Sequence, residues 1–225
     1  MLKIYSGREV EDGLAELKAR TVSSLDEVQP AVRSIIDRVT ADGDRALLEL
    51  TAELDRVELR PSELRVDAGA IEKAEKAVDP RLRKALVRAR DNIAAFHRRQ
   101  LRNSWFQVEK DGPVVGQRFV PVDSVGLYIP GGRASYPSTV LMNAVPAQVA
   151  GVERLVMVTP PGPDGELSPA TLTAAAVVGI KEIYRVGGAQ SIAALALGTE
   201  TIKPVDKIVG PGNVYVNLAK KLLFT

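Results

Sequence analysis

The sequence predicts an α/β protein in which a helical N-terminal region precedes an open parallel sheet. Three observations carry this prediction. The composition changes near residue 120, from a stretch rich in Glu, Arg, Leu and Ala to one dominated by Gly, Pro, Ala and Val. Beyond that point short apolar runs alternate with helical runs, which is the rhythm of βαβ units. Three of the apolar runs also end in glycine-rich turns that lead into helical patterns.

The N-terminal region has helical spacing from residue 8 to residue 102. Amphipathic runs at 11–20, 28–40 and 42–54 predict three helices. The clearest helix starts with Asp79 as its N-cap and Pro80 at its first position, where the missing N–H of proline does no harm. Residues three or four apart form its apolar face: Leu82, Leu86, Ala89, Ile93 and Phe96.

The pattern becomes strand-like between residues 104 and 120. Asp111-Gly112 is a favourable hairpin turn between strands at 106–109 and 114–119. In the second half, strand-like runs precede helical runs. The strands are expected at 124–129, 155–159, 182–186 and 207–209, and the helices at 138–150, 168–178, 189–197 and 214–223.

Short apolar strands that alternate with helices are typical of a doubly wound, Rossmann-like sheet buried on both faces. We therefore expect two regions, a helical or α+β N-terminal region at 1–120 and a Rossmann-like domain at 121–225. Ser138, before an apolar helical run, is expected to cap its helix.

The composition limits the classes of function. A hydrophobic fraction of 45% and a charged fraction of 26% are those of an ordinary globular protein. A net charge of +2 does not indicate binding to nucleic acids or to a membrane surface. The absence of cysteine excludes disulfides, thiol nucleophiles and cysteine-ligated metals. With no signal-peptide pattern and no apolar run of membrane-spanning length, we expect a soluble, cytoplasmic protein.

The three glycine-rich turns predict a ligand site at one edge of the sheet. The turns are Gly131-Gly132, Gly187-Gly188 and Gly210-Pro211-Gly212. Each points backbone N–H groups towards the carboxyl ends of the strands, where open α/β sheets bind ligands.

One polar residue accompanies each turn: Tyr128, Gln190 and Asn213. Taken singly, each has a structural explanation, because Tyr128 could be a packed tyrosine and the two amides could be helix caps. Their convergence on one edge favours a nucleotide or another flat, polar ligand.

Catalytic residues are not evident in the sequence. His97 is the only histidine and lies on a cation-rich helical face, which is typical of a surface or interface histidine. One histidine without cysteine cannot form an ordinary zinc site. The G-x-G-x-x-G and P-loop motifs are also missing. We therefore assign no catalytic and no metal-binding residue.

Three runs of the sequence resemble histidinol dehydrogenase. They are VGLYIPGGRASYPSTVLMN at 125–143, VGGAQSIAALA at 186–196 and VDKIVGPGN at 205–213. The similarity is long and ungapped, and the helical N-terminal part resembles the same family more loosely. The chain is identified as an N-terminal portion of the family sequence.

The resemblance implies an NAD-dependent zinc enzyme of histidine biosynthesis that oxidises L-histidinol to L-histidine. It also implies paired, incomplete Rossmann-type domains related to aldehyde dehydrogenases, within an intertwined homodimer. The NAD contacts of the family fall on Tyr128, Gln190 and Asn213.

The family's zinc ligands and acid/base pair belong to a second half that these residues do not include. We therefore expect the chain alone to be inactive, and residues 1–120 to lack strands that complete their sheet in the family. The alternative is a non-catalytic chain that keeps the nucleotide fold for binding or assembly. A third interpretation is another alcohol or aldehyde substrate on the same scaffold.

Overall fold

The computed structural model describes residues 4–7, 9–131 and 135–224, without the side chains of residues 16–26. Gly132, in the first of the three predicted turns, lies outside the described residues. Within the described ranges, no helix is both long enough and apolar enough to cross a membrane.

A kinked helix opens the chain. Helix α1 runs over Glu9–Asp55 and kinks at Gly43, where φ is 51° and ψ is −128°. The expected break between the first two helices was wrong, because the backbone stays helical through residues 21–27. The expected break between the second and third helices coincides with the kink at Gly43. Serine in a helix interior costs only a few tenths of a kcal/mol, so a break in the apolar pattern need not end a helix. After the kink, the carboxylate of Glu200 accepts the N–H of Asp44 at 2.7 Å.

Two capped helices follow a short 3₁₀ turn at Pro61–Glu63. Helix α2 spans Ala68–Ala77, and Asp67 caps it by accepting the N–H of Ala70. Helix α3 spans Pro80–Arg98, with Asp79 as its cap, so the predicted start is confirmed. The predicted apolar face of α3 ends early, because 61% of Phe96 is exposed.

The predicted hairpin is confirmed. Strands β1 (Trp105–Val108) and β2 (Val114–Gln117) pair antiparallel, so the second strand ends two residues before the predicted end. Asp111 adopts a φ of 63° in the turn. Every residue of both strands is exposed.

A four-stranded parallel sheet lies at the centre of the fold, with the order β5-β4-β3-β6. This confirms the prediction of a Rossmann-like α/β fold. The strands are β3 (Ser124–Tyr128), β4 (Arg154–Thr159), β5 (Glu182–Arg185) and β6 (Lys207–Val209). The helices that follow them are α4 (Pro137–Ala150), α5 (Pro169–Val177), α6 (Gly188–Leu197) and α7 (Val214–Leu222).

The predicted cap at Ser138 was wrong. Helix α4 begins one residue earlier, at Pro137, and its N-cap is Tyr136, which makes no capping bond with its side chain. Proline favours the first helical position because its fixed φ already suits the helix.

Helices of the N-terminal region cover both faces of the sheet. On one face, α1 packs against α6 and α7, with Leu47, Leu50, Ile192 and Leu195 in the shared core. On the other face, α2 and α3 pack against α4 and α5. The division of the chain into two domains at residue 120 stays a prediction.

Candidate functional site

The sheet has a topological switch point between its strands β3 and β6. Strand β3 pairs with β4 on one side and with β6 on the other. Helix α4, which follows β3, packs with α5 on one face, whereas α6 and α7 pack together on the opposite face. Helices that leave in opposite directions open a crevice at the carboxyl ends of the strands, and ligands of such sheets bind there.

A cavity of about 840 Å³ lies at this crevice, within the size range of small-molecule sites. All three predicted residues, Tyr128, Gln190 and Asn213, line it. The geometric convergence expected from the sequence is therefore present. Helix α1 also contributes to the wall, through Ala31, Ile35, Leu54 and Asp55.

Gln190 is the buried polar residue of this cavity. It lies in the first turn of α6 with only 1% of its surface exposed. Gly187 occupies the N-cap of α6, so Gln190 is not a cap. Its Oε1 atom is buried and has no hydrogen-bond partner within the described part of the chain. A buried acceptor without a partner costs about 1–3 kcal/mol, which a ligand that donates a hydrogen bond would offset.

Tyr128 ends strand β3 and is also buried, with 5% of its surface exposed. Burial raises the pKa of its hydroxyl, and the negative charge of Asp55 raises it further, while a hydrogen bond from the backbone N–H of Gly188 opposes both. The phenol therefore stays protonated at neutral pH and can donate to a ligand.

Asn213 has a structural role as well. It caps α7, because its side-chain oxygen accepts the N–H of Val216 at 3.0 Å. That bond occupies Oδ1, and so the side-chain NH₂ group is the donor that Asn213 can offer to the cavity.

The turns confirm that glycine is required at two positions beside the cavity. Gly188 has a φ of 62° and Gly210 a φ of 113°, which other residues rarely adopt. A side chain at Gly210 would also collide with the backbone of Tyr128. This close approach brings the end of β6 against the end of β3.

Asp55 is the site residue that sequence reasoning missed. It is the last residue of α1, and it lines the cavity together with Tyr128 at the end of β3. Its Oδ2 atom is buried without a partner among the residues described, and burial raises the pKa of the carboxyl group. No local pattern identifies it, because only the packing of α1 against α6 and α7 brings it to the sheet edge.

A second cavity of about 640 Å³ lies on the other side of the same edge, between α2 and α5. It shares Gly131 and Pro160 with the first cavity. Its buried cation, Arg185, donates to the carbonyl of Glu63 at 2.7 Å and approaches the carboxylate of Glu166 at 3.4 Å. Arg185 therefore fastens the segment before α2 to the end of β5.

His97 lies at the end of α3 and lines neither cavity. Its Nδ1 atom is 2.6 Å from Oε1 of Gln100. Among residues 4–7, 9–131 and 135–224, no group of three or more His, Cys, Asp or Glu side chains is arranged to hold a metal ion.

The order of the sheet, its glycine turns and the cavity at the switch point define a Rossmann-like α/β protein with a candidate ligand site at its strand ends. The family model for histidinol dehydrogenase matches residues 18–225. This chain belongs to the histidinol dehydrogenase family.

Similar proteins agree with this assignment. The histidinol dehydrogenase of Thermosynechococcus vestitus is 54% identical over all of this chain, and that of Bacillus subtilis is 52% identical over 99% of it. The crystal structure of histidinol dehydrogenase from Elizabethkingia anophelis superposes with a TM-score of 0.82 at 38% identity, and it covers 87% of this chain. The matched part is 52%, 51% and 45% of the respective relatives. The chain therefore spans about half the length of the relatives that it matches.

Proposed function

We propose that this chain is the NAD-binding portion of a histidinol dehydrogenase, an oxidoreductase that converts L-histidinol to L-histidine in histidine biosynthesis. The observation that carries the proposal is the switch-point cavity lined by Tyr128, Gln190 and Asn213. The similarity to relatives named histidinol dehydrogenase supplies the substrate. For the complete enzyme we also propose a cytoplasmic homodimer.

The residues of the cavity fit a dinucleotide. NAD⁺ carries hydroxyl and amino donors, and Oε1 of Gln190 is a buried acceptor that lacks a donor in the described structure. Tyr128 offers a protonated hydroxyl, and Asn213 offers its NH₂ group, as donors to the phosphate or carbonyl oxygens of such a ligand. When bound, NAD⁺ supplies a hydride acceptor. The contribution of this chain is to bind and orient it.

Zinc does not fit the described residues, because they hold no cluster of metal ligands. We therefore derive no catalytic step from this chain. We propose that the metal and the proton-transferring groups of the complete enzyme come from elsewhere, and that the 225 residues alone do not turn over histidinol.

Two measurements on the purified chain test this proposal. Calorimetric titration with NAD⁺ is expected to give saturable 1:1 binding, whereas NADH formation with L-histidinol and added zinc is expected to be absent. If NAD⁺ does not bind, the proposed site is wrong. If the chain alone produces NADH, catalysis does not depend on residues outside it.

A non-catalytic role in binding or assembly is the alternative. The observation that favours it is the hairpin, where Trp105, Phe106 and Val108 are each more than half exposed. Exposed apolar patches of this kind mark interaction surfaces. Mixing this chain with the C-terminal half of the Thermosynechococcus vestitus relative distinguishes the two functions. Restored histidinol oxidation supports the enzyme, and a stable but inactive complex supports the assembly role.

A further inference from the structure

Two residues that line the same cavity each have a buried acceptor oxygen without a donor in the described parts of the chain. One is Oε1 of Gln190, and the other is Oδ2 of Asp55. They come from two helices that pack against each other, because Gln190 belongs to α6 and Asp55 ends α1. Each acceptor is costly when it is left without a partner, so the pair indicates a ligand that brings hydrogen-bond donors to both residues.

The position of Asp55 makes its carboxylate unfavourable for the fold. A negative charge at the C-terminus of a helix opposes the helix dipole. The last turn of α1 holds no basic residue to offset it. The carboxylate is also partly buried, and Tyr128 beside it is a neutral phenol. A charged group whose position destabilises the fold in this way is often found at a functional site.

The chemistry of the ligand follows from the acceptor. A carboxylate has two oxygens, and vicinal hydroxyls present two donors side by side, so the ribose diol of a nucleotide is its natural partner. We propose that Asp55 accepts hydrogen bonds from the adenosine ribose hydroxyls of NAD⁺ and selects NAD⁺ against NADP⁺, whose 2′-phosphate it repels. This inference rests on the proposed function, and it assigns the specificity to a residue of the N-terminal helix.

The test compares three proteins by calorimetric titration with NAD⁺, NADP⁺ and 2′-deoxy-NAD⁺. They are the unaltered chain, Asp55→Asn and Asp37→Asn. Asp37 is an exposed carboxylate on the same helix, so its variant removes the same charge away from the cavity. A thermal melt of each variant shows whether it is folded.

Asp55→Asn is expected to weaken NAD⁺ binding by about tenfold. The same change is expected to weaken NADP⁺ binding by a smaller factor or to leave it unchanged. Removal of the 2′-hydroxyl is expected to weaken binding to the unaltered chain and to Asp37→Asn, and to have little effect on Asp55→Asn. If Asp55 had a purely structural role, the loss of the 2′-hydroxyl would weaken binding equally in all three proteins.

Two outcomes overturn the inference in distinguishable ways. If NAD⁺ binds the unaltered chain and Asp55→Asn leaves the NAD⁺/NADP⁺ preference unchanged, Asp55 does not read the ribose, although the cavity remains an NAD⁺ site. If none of the three proteins binds NAD⁺, the proposed function and the role of Asp55 fail together.

Discussion

The parallel sheet and the β-hairpin of this molecule differ in how far their strands are buried. All of strand β3 is buried, and helices cover both faces of its sheet. All of β1 and β2 is exposed, although both strands carry large apolar side chains. A two-stranded hairpin without a covered face is marginally stable by itself.

The buried sheet, and not the exposed hairpin, carries the candidate site. In the sheet, Gly210 lies against the backbone of Tyr128, and Tyr128 lines the cavity. The hairpin is held mainly by its own ladder and by Ser104, which accepts the N–H of Phe119 at 2.9 Å. Substitutions in the two regions should therefore have very different effects.

The largest effect is expected from a cavity in the sheet core. Leu127, at 0% exposure in β3, packs between the strands and α4, and Leu127→Ala should lower the free energy of unfolding by about 2–5 kcal/mol. Val115→Ala in β2 serves as the matched control. Because Val115 is half exposed, its loss should cost less than about 1 kcal/mol. Urea unfolding measures both variants, and similar losses would show that the hairpin is as well packed as the sheet.

A smaller effect is expected at Asn213, where structure and binding can be separated. Asn213→Ala removes the cap of α7 and should cost about 1 kcal/mol of stability. Asn213→Asp keeps the capping oxygen but loses the NH₂ group, so its stability should stay near that of the unaltered chain while NAD⁺ affinity falls. Urea unfolding measures the stability of both variants, and calorimetry measures their NAD⁺ affinity. If neither variant loses affinity, Asn213 only caps α7.

The smallest effect concerns Asp55 and pH. Burial raises the pKa of this carboxyl in the folded chain, so its contribution to stability is present at acidic pH, below the pKa of an unfolded Asp, and is lost as the pH rises through the folded value. Asp55→Asn should therefore melt slightly above the unaltered chain at pH 7 and show no such advantage near pH 3. Thermal melts across this range test the sign, and a variant that melts lower at pH 7 would contradict it.

Local patterns in the sequence were sufficient for the strands, the hairpin and most helices. Alternating apolar runs and glycine turns located β3 to β6 within a residue or two, and Asp79-Pro80 located the start of α3. Each of these signals is local, because it depends on backbone geometry and on neighbours within one turn.

Non-local packing explains what the sequence did not reveal. The helical backbone of α1 through residues 21–27 is not signalled by the weak apolar pattern there. Asp55 reaches the cavity only through the packing of α1 against α6 and α7, so no motif around it could indicate a site. The orphaned oxygen of Gln190 was also hidden, because burial in three dimensions, and not residue type, separates a ligand contact from a cap.

Calorimetric titration of NAD⁺ into Gln190→Ala tests whether the switch-point cavity binds NAD⁺, with Gln107→Ala on the exposed strand β1 as its control. We expect Gln190→Ala to bind NAD⁺ at least about tenfold more weakly than the unaltered chain, a loss of about 1.4 kcal/mol, while Gln107→Ala binds normally. Equal affinity in all three proteins would contradict the claim that the switch-point cavity is the NAD⁺ site.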